Sequence, residues 1–169
     1  MGYVYLYTGT GAGKTTNALG LALRSIGHGH KVVIIQFLKW WKNTGEYKIR
    51  KKLSNYEIYQ FGRKGWIGLE SLTEEDKKLT KEGLGFAKKI MKTKKPHLLI
   101  LDEICLALYC KLLGVNDVLE LLKNIPKRTD IVLTGRFAPK ELIDRADFVN
   151  EIIDSKHPQD IPSTKGIQY

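Results

Sequence analysis

Residues 3–16 read Tyr3-Val4-Tyr5-Leu6-Tyr7-Thr8-Gly9-Thr10-Gly11-Ala12-Gly13-Lys14-Thr15-Thr16, and the fold turns on this stretch. Tyr3 to Tyr7 is rich in strand-forming residues and runs into a cluster of glycines. From Lys14 to Ile26 the pattern becomes helical, with Leu19, Leu21, Ala22 and Leu23 as candidates for the buried side. Strand, glycine turn and helix in that order are the setting of a phosphate-binding loop. Its glycines let backbone N–H groups converge on anionic oxygens, and the helix N-terminus adds partial positive charge. Lys14 supplies a mobile ammonium and the Thr15 hydroxyl can ligate Mg²⁺. The expected triphosphate cradle is therefore Thr8, Gly9, Thr10, Gly11, Ala12, Gly13, Lys14, Thr15 and Thr16. A dinucleotide fingerprint is the competing glycine pattern. Lys14-Thr15 stands where its third glycine would fall, however, and no acidic residue ends the second strand near Gln36.

The standard loop has a glycine five residues before Gly13, a place that Thr8 takes here; the first glycine is Gly9. The loop is one residue short. A tighter ring of amides is expected, with phosphates placed differently from those of a hydrolytic ATPase.

Beyond the loop, Lys31 to Phe37 contains the continuous apolar run Val32-Val33-Ile34-Ile35 of a strand covered on both faces. Residues Trp40 to Arg50 read as polar and irregular, and Tyr56 to Phe61 as a short strand. A long helix is expected over Thr73 to Thr93, opened by Thr73 with Asp76 three residues on, an acidic variant of the capping box. Leu98 to Leu101 is another buried strand, Asn116 to Asn124 a helix, Ile131 to Leu133 a strand, Pro139 to Ala146 a short helix and Phe148 to Ile153 a last strand. Alternating strands and helices predict one α/β domain over residues 1–169, with an irregular C-terminal tail from 155 to 169. The fold class is P-loop NTPase-like (RecA-like): a doubly wound, mainly parallel sheet with right-handed crossovers and helices on both faces.

The chain has 169 residues, a size typical of one domain, and 43% are hydrophobic, enough to build a core. No apolar stretch approaches the roughly 20 residues of a membrane-spanning helix, and Met1 leads into the first strand without a charged leader, so a cytoplasmic protein is expected. The net charge of +10 invites a nucleic-acid reading. Much of the excess, however, lies on the Thr73–Thr93 helix, where Lys77, Lys78, Lys81, Lys88, Lys89 and Lys92 alternate with Leu79, Leu84, Phe86 and Ile90. That is the pattern of an ordinary solvated face opposite a buried one. Cys105 and Cys110 fall in one expected helix without metal-ligand spacing and read as plain thiols.

Asp102-Glu103 ends an interior strand, where open α/β sheets place their ligands. Two carboxylates there suit a Mg²⁺ also bound by Thr15 and phosphate oxygens; a capping Asp102 beside a solvated Glu103 is the alternative. Arg136, after the fifth strand, stands at the same edge and is a candidate for phosphate or for a structural ion pair.

Taken in order and spacing, several segments resemble the P-loop-type corrinoid adenosyltransferases. They are the short loop 7–16, Ala18-Leu19-Gly20-Leu21-Ala22-Leu23-Arg24 with Gly27-His28-Gly29, Gln36-Phe37-Leu38-Lys39 with Gly45-Glu46, and Leu101-Asp102-Glu103-Ile104. Further along come Leu133-Thr134-Gly135-Arg136 with Ala138-Pro139, Ala146-Asp147, Glu151, Lys156-His157-Pro158, Gly166-Ile167 and Tyr169. The resemblance implies ATP and a reduced corrinoid as substrates: Co(I) attacks C5′ of ATP and expels triphosphate, in cobalamin biosynthesis or salvage. The nucleophile belongs to the substrate, in accord with a sequence that offers no catalytic triad.

The resemblance further implies phosphate binding by Lys14 and the loop, Lys14 stabilising the leaving group. It implies Mg²⁺ (or Mn²⁺) on Thr15 with Glu103, and ATP held in the reverse of the usual sense. Trp66 falls where the family places aromatics against the lower corrinoid face, with ordinary burial as its alternative, and His157 belongs to a matched motif. A homodimer and a flavoprotein or flavodoxin-type reductant are expected as partners, with no nucleic acid and no membrane. A lid is expected from the Trp40 to Lys52 loop or from a second subunit's tail. The rivals are a RecA-like nucleic-acid-binding ATPase and a nucleoside kinase, told apart by their products.

Overall fold

A computed structural model of the chain describes residues 2–65, 68–158, 160 and 163–169. Six strands form one sheet in the order β3-β2-β4-β5-β1-β6, and every pairing is parallel. They are β1 (Val4–Thr8), β2 (Val32–Phe37), β3 (Tyr56–Phe61), β4 (Leu98–Asp102), β5 (Asp130–Thr134) and β6 (Phe148–Glu151). Parallel neighbours need long crossovers, which the helices supply. Between β1 and β2 runs α1 (Lys14–Gly27), and between β2 and β3 lies the short α2 (Gly45–Ile49). The remaining helices are α3 (Glu74–Thr93), α4 (Ile104–Tyr109), α5 (Val115–Lys123) and α6 (Lys140–Arg145).

Two apolar layers flank the sheet, as continuous apolar strands require. On one face Ala18 and Ala22 of α1 pack against Val32, Ile34, Ile58, Ile100 and Val132. On the other, Leu84, Ala87 and Ile90 of α3, Val118 and Leu121 of α5 and Leu142 of α6 cover Val33, Ile35, Leu99, Leu101, Ile131 and Leu133. From β1 the chain crosses two strands toward β2 with α1 on the first face. It then returns through β4, β5 and β6 with helices on the second face. Reversing both direction and face keeps the hand of the crossovers constant. The expected doubly wound sheet is thus met, and it is wholly parallel.

The long helix opens as expected: Asp76 accepts from the Thr73 N–H at 2.8 Å and the Thr73 hydroxyl at 2.9 Å. Its buried carboxylate also meets Arg63 at 3.2 Å. Lys78, Lys81, Lys89 and Lys92 are exposed while Leu84 and Ile90 are buried, the division of faces read from the sequence. The stretch expected to be irregular between Trp40 and Arg50 contains α2, five residues with none buried. So short a helix with no buried stripe leaves no apolar period to read. Among the described residues no helix is long and apolar enough to cross a membrane.

Candidate active site

The phosphate loop follows β1 at the carboxyl edge of the sheet. Gly9 and Gly13 take φ of 100° and 107°, values that L side chains rarely adopt. A Cβ on Gly9 would lie 2.3 Å from the Ile152 carbonyl oxygen, so the loop is pressed against the segment that leaves β6. Two of its amides are bound there: Gly11 N–H donates to Ile152 O at 2.8 Å and Ala12 N–H to Asp154 Oδ1 at 3.0 Å. The Lys14 ammonium folds back onto the Gly11 carbonyl. Burial pushes its pKa below the ordinary lysine value and Arg136 adds to this, against the pull of Glu103 and Asp154. Thr8 ends β1 with its hydroxyl 3.4 Å from the Ala138 N–H, whereas Thr10 and Thr16 are exposed.

Register explains the next layer. Gln36 pairs with Gln60 and with Asp102 across the sheet, and Leu101 pairs with Leu133, which sets Thr134 beside Asp102. These four residues lie two places beyond Ile34, Ile58, Ile100 and Val132, hence on the face that α1 covers. They form a hydrogen-bonded row along the edge: Gln60 Nε2 donates to Gln36 Oε1 at 2.9 Å, and Gln36 Nε2 to Asp102 Oδ2 at 3.0 Å. Thr134 Oγ1 donates to Asp102 Oδ1 at 2.7 Å. The first turn of α1 closes on this row, its Thr15 hydroxyl donating to Asp102 Oδ1 at 2.8 Å. Finally the Lys39 ammonium reaches Asp102 Oδ2 at 2.7 Å and Thr15 Oγ1 at 3.3 Å.

Asp102 is 1% exposed and receives four donors. Burial alone would raise its pKa, yet the Lys39 charge and the hydrogen bonds of Lys39, Thr134 and Thr15 hold it below the usual carboxylate range. Glu103 contrasts with it. Its backbone is left-handed (φ 64°), and its carboxylate makes no hydrogen bond or ion pair among the described residues. Burial, followed by the Asp102 charge, raises its pKa.

Glu103 instead faces a cavity of about 320 Å³ with Lys39, Leu106, Arg136, Phe137, Gly68 and Leu69. Three walls of this cavity, Leu38, Glu103 and Phe137, have positive φ without being glycine. Such conformations concentrate where surrounding structure holds a site in shape. A second cavity, about 510 Å³, is bounded by Thr15, Thr16, Lys39, Tyr56 and the tail residues Gly166 to Tyr169. A third and wider one, about 710 Å³, lies among Trp40, Trp41, Gln60, Gly62 and Lys64, and Tyr169 packs on Trp41 with ring centroids 4.9 Å apart.

The structure therefore brings together Lys14, Thr15, Asp102, Glu103 and Arg136 from the residues expected at the site. Trp66 lies outside the described residues. His157 is exposed in the tail, its Nδ1 2.8 Å from the Pro158 carbonyl, and it makes no contact with the other site residues among those described. Gln36, Lys39, Thr134 and Asp154 acquire partners at the site that sequence reasoning did not assign. One signal was available: a glutamine at the end of Val32-Val33-Ile34-Ile35 is a polar residue in a run otherwise made for a core.

A glycine loop on α1, joined by Thr15 to the carboxylate of β4 with β5 inserted between the two strands, defines a P-loop nucleotide-binding protein of RecA-like fold. The backbone is similar to the KaiC-like protein PH0186 from Pyrococcus horikoshii OT3, with TM-score 0.59 and 18% identity over 88% of this chain and 69% of that one. It is also similar to the flagellar accessory protein FlaH from Methanocaldococcus jannaschii, with TM-score 0.57 and 17% identity over 89% and 70%. These are likenesses of fold alone.

The family described as "ATP:corrinoid adenosyltransferase BtuR/CobO/CobP" matches residues 1–169. A corrinoid adenosyltransferase of Escherichia coli (strain K12) is 30% identical over 99% of this chain and 86% of its own length. One from Sinorhizobium sp is 32% identical over 99% and 80%. The chain belongs to the ATP:corrinoid adenosyltransferase family.

Proposed function

We propose that this chain transfers the 5′-deoxyadenosyl group of ATP to the Co(I) centre of a reduced corrinoid, releasing triphosphate, in adenosylcobalamin biosynthesis or salvage. The observation that carries the reading, beside family membership, is the open cavity next to the loop. Glu103 and Lys39 line it beside Gly68 and Leu69, so the ground adjoining the phosphate site is open to a second substrate.

The bond changes balance without any further reagent. Two electrons of Co(I) form the Co–C5′ bond while the C5′–O bond breaks, and the electron pair leaves with triphosphate. No protein nucleophile is required. Ser25 Oγ does lie 3.3 Å from His30 Nδ1, but at the amino edge of the sheet, away from the loop. Burial pushes the Cys105 thiol up to about 12, so it stays protonated.

The chain's own work is to hold and to stabilise. The loop amides and Lys14 hold the triphosphate and take up the charge that develops on it. Arg136, exposed and without an ion pair among the described residues, is free to turn to a phosphate. The donor set suits Mg²⁺: the Thr15 hydroxyl and the unpartnered Glu103 carboxylate are hard oxygen ligands, with Asp102 just behind them. Among the described residues no group of three His, Cys, Asp or Glu could hold a metal without substrate, which fits an ion that arrives bound to phosphate. When bound, Mg²⁺ (or Mn²⁺) supplies charge neutralisation to the leaving triphosphate.

The family resemblance assigns Trp66 to the lower face of the corrinoid. His157, exposed in the tail, is assigned to the corrinoid site by the family resemblance alone. The family resemblance also supports a cytoplasmic homodimer served by a flavoprotein or flavodoxin-type reductant.

The test is anaerobic incubation with ATP, Mg²⁺ and a Co(I) corrinoid. The expected result is decay of the Co(I) absorbance into a light-sensitive alkyl-cobalt spectrum, lost in Trp66→Ala when the corrinoid is supplied as Co(II) with a reductant. An unchanged Co(I) spectrum with folded protein rejects the reading.

A further inference from the structure

We propose that Lys39 is a tethered cation which fills the metal locus of the resting site and must be displaced from Asp102 and Thr15 before a divalent ion can bind. This rests on the use of a metal-bound triphosphate argued above. It adds a role for a residue that is neither in the phosphate loop nor one of the carboxylates.

The geometry is specific. The ammonium sits 2.7 Å from Asp102 Oδ2 and 3.3 Å from Thr15 Oγ1, the two groups that frame the expected metal position. The Thr15 hydroxyl gives its proton to Asp102 Oδ1 and takes one hydrogen bond from Lys39, so one of its two lone pairs is already committed. Asp102 has about four lone-pair sites and four donors on them, which leaves none for a metal. Of these donors Gln36 and Thr134 are buried in the sheet row, whereas Lys39 is 31% exposed on a long stem. Lys39 is the donor that can withdraw.

Its point of attachment is held firmly. Leu38 has φ 58° and donates its N–H to Phe61 O at 3.0 Å, and Gly62 packs so tightly that a Cβ there would lie 2.5 Å from Lys39 N. The backbone thus aims the side chain while the stem remains free to swing. Lys39 borders both the cavity of Glu103 and that of Thr16, so a withdrawn ammonium has open space on either side.

Two cations cannot share one carboxylate oxygen and one hydroxyl in this partly buried setting. Free metal must therefore compete with the ammonium and binds weakly to the empty protein. A polyphosphate brings negative charge for both cations: the metal takes the locus, and Lys39 turns to phosphate oxygen. Metal and nucleotide then bind synergistically, and a positive charge is added beside the leaving group only when the nucleotide is in place.

The experiment is an electron paramagnetic resonance titration of free Mn²⁺ against wild type, Lys39→Gln and Lys39→Arg, each with and without inorganic tripolyphosphate. Glutamine keeps a donor for Asp102 but removes the charge. The expected result is that Lys39→Gln binds Mn²⁺ alone at least about tenfold more tightly than wild type, while Lys39→Arg stays weak. Tripolyphosphate should tighten Mn²⁺ binding much more in wild type than in Lys39→Gln. Equal Mn²⁺ affinity of folded wild type and Lys39→Gln without tripolyphosphate overturns the proposal. Should Lys39→Gln not fold, amine acylation of wild type without tripolyphosphate decides: Lys39 labelling that rises at Mn²⁺ concentrations where the resonance shows bound metal supports displacement, and unchanged labelling refutes it. No corrinoid is present, so failure of adenosyl transfer is a separate result.

Discussion

Thr15 Oγ1 and Asp102 Oδ1 lie 2.8 Å apart, and this one hydrogen bond ties the first turn of α1 to the end of β4 across the intervening strand β5. Asp102 is thereby a structural hub, and the carboxylate of its neighbour Glu103 has no hydrogen bond or ion pair among the described residues. Substituting Asp102 by Asn should leave the Lys39 charge without its partner and set an amide N–H against groups that all donate. A loss of about 2–4 kcal/mol is expected from urea unfolding, the lower end reflecting the partial exposure of Lys39. Glu103→Gln should unfold close to wild type yet lose metal-dependent nucleotide binding.

The pair also sets a pH dependence. Asp102 is held below the ordinary carboxylate value, so it contributes stability above about pH 4 that is lost as pH falls through its lowered folded value. For Lys39 burial acts downward, but the Asp102 charge and hydrogen bond outweigh it and the net pKa is raised. Its stability is therefore full below about pH 10 and disappears as pH rises through the raised value. The difference in unfolding free energy between wild type and Lys39→Gln should stay flat from about pH 5 to 10 and shrink at both ends.

Glu103 titrates the opposite way. Burial and the neighbouring Asp102 raise its pKa, so acidification removes its charge earlier than for an ordinary glutamate. Mn²⁺ affinity in the presence of ATP should fall with acid, with a midpoint above that of an ordinary glutamate, and Glu103→Gln should flatten that profile.

At the loop, Gly9→Ala meets both a φ of 100° and the Ile152 carbonyl at 2.3 Å, whereas Gly13→Ala meets only its φ of 107°. Thermal unfolding should rank Gly9→Ala well below Gly13→Ala, each costing at least about 1 kcal/mol. Equal melting temperatures would contradict the packing described for the loop against Ile152.

Asp154 holds the Ala12 amide, one of the loop donors proposed above for a phosphate oxygen. Neutralising it in Asp154→Asn should lower the KM for ATP severalfold with kcat little changed. A raised KM would mean that the carboxylate helps to hold substrate.

Most of the fold was legible because buried parallel strands announce themselves as apolar runs and the glycine turn fixes where the first helix begins. The long helix was marked at its start by Thr73 and Asp76. The site was legible only in part. Lys14, Thr15, Asp102 and Glu103 follow from motif and strand end, but the row Gln60–Gln36–Asp102–Thr134 depends on inter-strand register, which no single segment encodes. The place of Lys39 depends on the left-handed turn at Leu38, a conformation that leucine does not advertise. Asp154 meets the loop because β6 lies beside β1, a matter of topology.

Corrinoid adenosylation cleaves ATP at C5′, away from its phosphorus atoms. Phosphorus NMR of an anaerobic reaction with ATP, Mg²⁺ and Co(I) corrinoid measures this directly. Inorganic triphosphate is expected in amounts equal to the alkylated corrinoid. ADP with orthophosphate, formed whether or not corrinoid is present, would contradict it.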